Sequence, residues 1–538
     1  VSDSEHKVRR VRHPWRTAAV IAAPVLILGL LLAVASVIPL SSDTARRGVI
    51  TALEDELDAE VELAGLEFRL LPSFRAVGHG LTIRHRGRRD VPPMIQIARF
   101  SAEGTIRRLL RRHVTRLEVE HLEIQIPPDR NRDTATPEGE ASAAPRREPD
   151  SRELARLFVI DELVSTDSRL VMIPRDPTRD PKIWEIHHLR MTSISPDTAM
   201  PFVATLSNAV PPGEIETSGS FGPWRREDPG QTPIEGDFSF ANADLKVFNG
   251  IAGILSSHGT FAGSLDHMTV RGNTDTPDFM VTAGGHPFSL KTTYHAVVDG
   301  TNGNTFLEQV NATFLRSSLT ARGEVTRTPG RKGRTVTLDV VMDRARLEDI
   351  LTMAVKTPQP PMTGALKLRT KFVLPPGELD VVRKLRLDGR FEIGGTRFTD
   401  AGVQTKINTL SQRTQGNTKP EETPANVASR FVGTFKLSNS QLEIPDVTFD
   451  VPGSTVRLAG GYGLLDERID FAGMAYTDAK LSQMTTGWKS LLLKPVDLLF
   501  RKDGGGAAIP VKITGTRNEP SFGLDRGRIF KRRSDAGE

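Results

Sequence analysis

A mainly β fold behind one membrane-spanning helix is the class this sequence predicts, and three observations carry it. Thr17 to Leu40 holds no Asp, Glu, Lys or Arg, and it exceeds the ~20 apolar residues that a helix needs to cross a bilayer. Beyond it, apolar and polar residues alternate over most of the chain. The phrases Gly236-Asp237-Phe238-Ser239-Phe240, Gly389-Arg390-Phe391-Glu392-Ile393 and Gly433-Thr434-Phe435-Lys436-Leu437 repeat one pattern, two large apolar residues placed two apart. Such residues share a face of a strand.

The span has Lys7, Arg9, Arg10, Arg12 and Arg16 on its N-terminal side, against Arg46 and Arg47 with Asp43 on the other. The positive-inside rule therefore predicts a cytoplasmic N-terminus (1–16), an anchor over 17–40, and export of the remainder. A cleaved signal peptide with its site near Ala33-Val34-Ala35 is the alternative, but the apolar run continues past that site and exceeds a usual signal core. Val49, Ile50, Leu53 and Leu57 recur at helical spacing, which predicts a short helix after the span.

Strands follow at once: Val61, Leu63, Leu66, Phe68 and Leu70, then Leu81 and Ile83, then Ile95, Ile97 and Phe100. A short basic helix is expected around Ile106 to Arg112. The cleanest alternation comes next, in Leu117, Val119, Leu122, Ile124 and Ile126. Residues 128–152 are rich in Pro, Ala, Thr and mixed charge with little to bury, so they read as a linker. Strand patterns resume at Leu157 and persist nearly to the end. Interruptions are expected at Leu347 to Val355 (a short helix), at the polar insert Gln412 to Thr423, and at Ala479 to Phe500. In each of the three repeated phrases a Gly or Asn follows, which accommodates the positive φ of a hairpin turn. The apolar residue nine positions after the first Gly (Leu245, Phe398, Leu442) is then expected on the returning strand. Spacings of unequal length exclude a fixed-period solenoid.

Composition narrows the function. Lys and Arg total 71 against 66 Asp and Glu, a net charge of +5, with much of the excess beside the span, so no nucleic-acid footprint is present. The chain has no cysteine, which rules out thiol nucleophiles, Cys-based metal sites and disulfides. Phe outnumbers Tyr 24 to 3, a preference for rings without a polar tip that suits a dry core or an apolar surface facing something other than water.

Catalytic signatures are lacking: the sequence holds no P-loop, HExxH, G-x-S-x-G elbow or Cys/His cluster. His187 and His188 are neighbours, which on a strand point to opposite faces and do not chelate one metal. The Asp299-Gly300-Thr301-Asn302-Gly303-Asn304 segment lacks the ligand spacing of an EF-hand loop and reads as a hairpin turn. Gly460-Gly461-Tyr462-Gly463 is no nucleotide fingerprint, since no strand-to-helix unit surrounds it. No metal, cofactor or enzymatic activity is expected. Near the C-terminus, Leu481, Met484, Trp488, Leu491 and Leu492 lie at helical spacing with Lys480, Lys489 and Lys494 interspersed, an amphipathic pattern that caps a sheet or touches a lipid surface.

The order of anchor, Leu66-Glu67-Phe68-Arg69-Leu70-Leu71-Pro72, Gly80-Leu81-Thr82-Ile83, Ile106-Arg107-Arg108-Leu109-Leu110 and Leu117-Glu118-Val119-Glu120 resembles the N-terminal region of the AsmA-like envelope proteins. Gly460-Gly461-Tyr462-Gly463-Leu464, Gly473, Gly487-Trp488-Lys489-Ser490-Leu491-Leu492 and Ile509-Pro510-Val511-Lys512-Ile513-Thr514-Gly515-Thr516 with Pro520 resemble that family's C-terminal domain. The resemblance covers both ends, and the middle only in style. It implies a long, curved, mostly antiparallel sheet forming an apolar groove, related to bridge-like lipid-transfer proteins. It divides the chain into an N-terminal region (41–127), a central groove region (153–375), a C-terminal β domain (376–530) and a basic tail (531–538).

The function so implied is that of a single-pass inner-membrane protein with its bulk in the periplasm. Its groove would bind phospholipid or carry it between inner and outer membranes, with an envelope protein as a further partner. The alternative is a non-transporting assembly or biogenesis factor that uses the sheet as a scaffold. Phe238, Phe240, Phe391, Ile393, Phe435 and Leu437 are the candidate groove residues. Periodicity alone leaves groove and closed core as equal readings of them.

Overall fold

The computed structural model describes residues 42–57, 59–69, 74–85, 92–109, 113–126, 159–172, 182–195, 197–223, 225, 229–300, 303–327, 333–415, 427, 429–480, 506–517 and 519–525. The expected anchor, basic N-terminus, linker and basic tail fall outside these residues. Among the described residues no helix is long and apolar enough to cross a membrane. Over the described residues the fold is mainly β, one mostly antiparallel sheet of 24 strands with few short helices. Two compact units divide the chain, Val1–Ala243 with Ser256–Gly272 and Val297–Gly303, and Asp244–Leu255 with Asn273–Ala296 and Asn304–Glu538.

The first unit opens with α1 (Ser42–Leu57), followed by β1 (Ala59–Arg69), β2 (Phe74–His85), β3 (Ile95–Gly104), the short α2 (Ile106–Leu109) and β4 (His113–Ile126). β1 to β4 run antiparallel in sequence order. β5 (Val159–Met172) pairs with β4 in parallel. A parallel neighbour needs a crossover of a dozen residues or more, and the chain between Ile126 and Val159 has that length. β6 (Lys182–Ile194), β7 (Met200–Ala209), β8 (Pro212–Phe221) and β9 (Pro233–Asp244) restore antiparallel order.

Alternation in β1 to β4 builds this unit's core directly. Register sets Val61 against Ile83 and Leu63 against Leu81, then Ile83 against Ile95 and Leu81 against Ile97, and all six are buried. Burying each side chain of this size contributes about 1.5–3 kcal/mol. Val49 of α1 is fully buried in the same cluster, with Ile50 packed against it. Phe100 fills the space over Gly78, where a Cβ would lie 2.1 Å from the ring's Cζ; only glycine admits that ring.

β10 (Ile251–Ala252), β11 (Ile254–Ser264), β12 (His267–Val281) and β13 (Phe288–Val298) follow, with β10 antiparallel to β12. The second unit continues through β14 (Thr305–Phe314), β15 (Ser317–Arg327), β16 (Arg334–Arg346), α3 (Leu347–Ala354), β17 (Met362–Leu374), α4 (Val381–Lys384), β18 (Arg386–Phe398) and α5 (Ala401–Thr414). It closes with β19 (Ser429–Ser438), β20 (Gln441–Val451), β21 (Ser454–Gly463), β22 (Arg468–Thr477), β23 (Ala507–Thr516) and β24 (Pro520–Leu524). Each strand from β14 to β24 pairs antiparallel with the next.

Of the three repeated phrases only the last forms the expected hairpin. Asn439 and Ser440, with φ of 51° and 61°, turn β19 into β20, and Leu442 pairs back with Leu437. Asn242 and Gly395 also have positive φ, 56° and 63°, but they lie inside β9 and β18. Leu245 accordingly opens a 3-10 turn, and Phe398 ends β18 itself. At Gly395 the positive φ makes a bulge, marked by register shifts toward both β17 and β19. A bulge and a turn place the same demand on φ.

Helix α3 stands where the sequence predicts one, and buried acids tie it down. Asp349 Oδ2 accepts from the Arg316 backbone N–H at 3.0 Å and from Ser317 Oγ at 2.6 Å. Glu348 accepts from the Arg316 guanidinium at 2.8 Å and from Gly364 N–H at 3.1 Å. Helix α5 is an element the sequence reading missed. Asp400 caps it by accepting from Val403 N–H at 2.8 Å, and the side it buries is polar: Gln404, Asn408, Ser411 and Thr414. Gln404 accepts from Phe398 N–H, Asn408 from Val427 N–H, and Ser411 donates to the Pro452 carbonyl.

Asp349→Ala strands the Arg316 N–H and the Ser317 hydroxyl, and is expected to lower stability by about 2 kcal/mol. Asp400→Ala removes only a cap and is expected to cost about 1 kcal/mol. Urea unfolding followed by circular dichroism ranks the two; an unchanged midpoint for Asp349→Ala would mean that apolar contacts alone seat α3.

Candidate functional site: one apolar sheet face

In the second unit, cross-strand register carries apolar residues along a single face from strand to strand. Val325 sits opposite Val336; Val336, Leu338 and Met342 sit opposite Leu374, Phe372 and Leu368; Phe372 and Leu368 sit opposite Leu387 and Phe391. Leu387 and Ile393 then meet Leu437 and Phe431. The series runs on through Leu442 and Phe449 of β20, Val456 and Leu458 of β21, and Phe471 of β22, to Ile513 and Phe522. The opposite face is polar. Arg430 pairs with Glu392 at 2.9 Å, Lys436 with Asp388 at 3.7 Å and Lys512 with Asp470 at 3.9 Å. Exposed pairs of this kind add little stability, and they identify that side as the solvated one.

Burial divides the apolar face along the strands. Near α3 it is covered: Met342, Leu366 and Ile393 form one buried cluster with Phe288, Phe314 and Leu347. Phe449, Val451, Val456 and Ala475 form another, with Ile407 of α5 packed against it. Toward the other strand ends, Val336, Leu338, Phe372, Leu374, Leu387, Leu442, Ile469 and Phe471 are only half-buried and belong to neither cluster. At the last strand Phe522 and Leu524 are 58% and 54% exposed. Antiparallel sheets tolerate water on one face, but that face is ordinarily the polar one, and a contiguous exposed apolar surface marks a binding site.

Small residues flatten the surface. A Cβ on Gly460 would lie 2.8 Å from Cδ1 of Phe471 across the strand pair, and in the first unit, separately, one on Gly213 would lie 2.7 Å from Cε2 of Phe240. These rings lie over glycines, filling the sheet's own relief.

The candidate residues separate into three groups. Phe391, Ile393, Phe435 and Leu437 share the apolar face, with the Phe391 and Phe435 ring centroids 6.1 Å apart. Phe391 is half-buried, whereas Ile393, Phe435 and Leu437 are buried at 8%, 9% and 7% exposure. Phe238 and Phe240, in the first unit, are half-buried and face Thr217 and Ile215 of β8. Leu481, Met484, Trp488, Leu491 and Leu492 lie outside the described residues. The more exposed lining, Leu338, Phe372, Leu387 and Phe471, was not singled out from the sequence, although each sits in an alternating run whose polar partners signal it.

His187 Nε2 lies 2.7 Å from Ser207 Oγ at an exposed position. Among the described residues no group of three or more His, Cys, Asp or Glu is placed to hold a metal. A cleft of about 580 Å³ beside α3 is lined by Arg316, Glu348, Asp349, Thr352 and Thr363, with both acids engaged in seating α3. Tyr462, on the apolar face, has its phenol pKa raised, first by burial and then by Glu467.

A glutamate at a covered position must be desolvated, whereas one at an uncovered position reaches water. Met342→Glu is therefore expected to unfold the second unit, and Phe372→Glu to leave it folded with a change within about 1 kcal/mol, both read by thermal unfolding. Equal collapse of the two variants would show that Phe372 is packed core.

No protein-family model matches the chain, and no curated protein or solved structure matches it.

Proposed function

We propose that this chain is an AsmA-like envelope protein, held in the inner membrane with its bulk in the periplasm, whose apolar sheet face binds phospholipid and supports its movement between inner and outer membranes. One observation carries the reading: the apolar face is buried near α3 and α5 but half-buried toward the other strand ends at Val336, Leu338, Phe372, Leu387, Leu442 and Phe471. Acyl chains laid on that surface leave water at about 0.8 kcal/mol per CH₂, while headgroups stay hydrated at the strand ends. Transfer on this reading is passive, and no residue performs a chemical step.

Photo-crosslinking residues placed in the full chain in its membrane, with lipid phosphate radiolabelled, test the proposal. Labelled adducts are expected from Leu338, Phe372 and Ile513 on the apolar face, and not from their neighbours Asp339, Lys371 and Lys512 on the charged face. An apolar face that yields no lipid adduct, or no more than the charged face, refutes the reading and leaves the scaffold role as its replacement.

A further inference from the structure

Turns at the uncovered strand ends of the second unit present apolar side chains outward. The connection at 375–385 joins Leu374, the last residue of β17, to Arg386, the first of β18. Asn439 and Ser440 join β19 to β20, and residues 464–467 join β21 to β22. α3 and α5 follow the opposite strand ends, after Arg346 of β16 and Phe398 of β18.

Hydrogen bonds tie these turns edge to edge, together with the 3-10 turn Leu245–Val247. Asn249 Nδ2 donates to the Glu378 carbonyl at 2.6 Å, and Val381 N–H donates to the Asn249 carbonyl at 2.9 Å. Ser440 Oγ reaches the Val382 carbonyl at 3.4 Å, and Leu464 N–H donates to the Ser440 carbonyl at 2.9 Å. The turns thus form one rim. On it Leu379 and Leu465 are 62% and 61% exposed, and Val247 and Phe248 are 47% and 38% exposed. Turn tips ordinarily carry Gly, Pro, Asn, Asp and Ser. Single exposed apolar residues are commonplace, but four on bonded neighbouring turns make a patch. The rim's acids are engaged within it: Asp244 accepts from Lys246 N–H, Asp380 from Val382 N–H and Asp466 from Arg468 N–H, and Glu467 pairs with Arg517 at 2.9 Å.

We infer that this rim is a membrane-docking edge, with Val247, Phe248, Leu379 and Leu465 entering the headgroup and acyl boundary of a bilayer. The four side chains stand on three separate turns, an arrangement that a fluid interface accepts and that differs from the clustered anchors of a protein contact. The rim also borders Leu374, Leu387, Leu442 and Ile469, half-buried residues of the apolar face, so docking sets that face against the bilayer that would supply its lipid. The charge-free Thr17 to Leu40 segment of the same chain is long enough to cross a bilayer and brings one within reach. The inference rests on the lipid-binding reading for what docking delivers, and the two fail separately.

The chain has no cysteine, so an environment-sensitive fluorophore is placed singly at Leu379→Cys, Leu465→Cys or Phe248→Cys, with the exposed Gln359→Cys beside α3 as reference. The labelled full chain is reconstituted into phosphatidylcholine vesicles whose acyl chains carry a nitroxide. Blue-shifted emission and nitroxide quenching are expected at the three rim positions and at none near α3. In the Phe248→Cys chain, Leu379→Glu with Leu465→Glu is expected to abolish the quenching while the melting temperature holds, because both side chains are exposed. Quenching that survives the two glutamates, or that is equal at Gln359→Cys, overturns insertion of the rim. Rim labels open to aqueous iodide and silent to nitroxide overturn docking, and lipid adducts still formed at Phe372 would then leave the lipid-binding reading standing. Labels shielded from iodide yet silent to nitroxide overturn docking too, and assign the rim to contact between copies of this chain. Rim quenching without adducts at Phe372 keeps the docking edge and overturns the lipid-binding reading.

Discussion

Strand parity is the constraint on which the rest of this structure depends. Side chains alternate faces with a period of two, so one slipped residue would send a whole strand's apolar set to the charged side. The ladder avoids this where its strands are irregular. Between Met342 and Ala345 the register of β16 shifts against β17, and Asp343 and Arg344 both face solvent. Between Ile444 and Val447 the register of β20 shifts against β21, leaving Pro445 and Asp446 exposed. Between Leu307 and Val310 the same happens to β14, with Glu308 and Gln309 outward. Each bulge places two exposed residues in succession and then returns the next apolar residue to its original face. Continuity of the apolar surface is thus held by irregularities in the pattern as much as by the pattern.

Covering part of that surface takes polar chemistry. α3 buries Leu347 with the sheet cluster, yet what fixes its position is the carboxylate of Asp349 on Arg316 N–H and Ser317, with Glu348 on Gly364 N–H. α5 contributes Ile407, and Gln404, Asn408 and Ser411 bind Phe398 N–H, Val427 N–H and the Pro452 carbonyl. Hydrogen bonds of this kind add modestly when made and cost more when one partner is removed, so they determine where each helix stops. Beyond the helices the strand ends at Val336, Leu338, Phe372, Leu387, Leu442 and Phe471 are half-buried, whereas Leu437 of β19 is buried.

That division explains what could be read from the residues and what could not. Strands β1 to β4 were legible because apolar residues alternate in short runs on either side of a single break, as at Leu63–Leu66 and Val119–Leu122, and because those residues are large. α3 was legible because Leu347, Ile350 and Leu351 recur at helical spacing ahead of Val355. α5 was not, because its apolar residues Val403, Ile407 and Leu410 are few and interspersed with the polar residues it buries, Gln404, Asn408, Ser411 and Thr414, and its Asp400 cap went unread. The hairpin expected after Ile393 failed for a related reason. Gly395 has the positive φ that the phrase predicts, and the chain uses it for a bulge inside β18, a choice made by pairing with β17 and β19 rather than by local sequence. Among the candidate groove residues, Phe391 and Phe435 were found through their phrases. Leu338 and Phe372 were passed over because no phrase marks them, and exposure is a property of the assembled sheet.

The half-buried surface also constrains what can occupy it. A rigid protein partner needs matching relief, with pockets for protruding anchors. Here relief is low, because Phe471 lies over Gly460, and Phe391 is opposite Gly433 just as Phe435 is opposite Gly389. Rings set against glycines give a surface with broad apolar area and few pockets. Such a surface discriminates poorly between shapes and favours an occupant that deforms to fit it, which is the character of a hydrocarbon chain. On the proposed lipid reading, discrimination between ligands then falls to the polar edges of the sheet and not to its apolar relief.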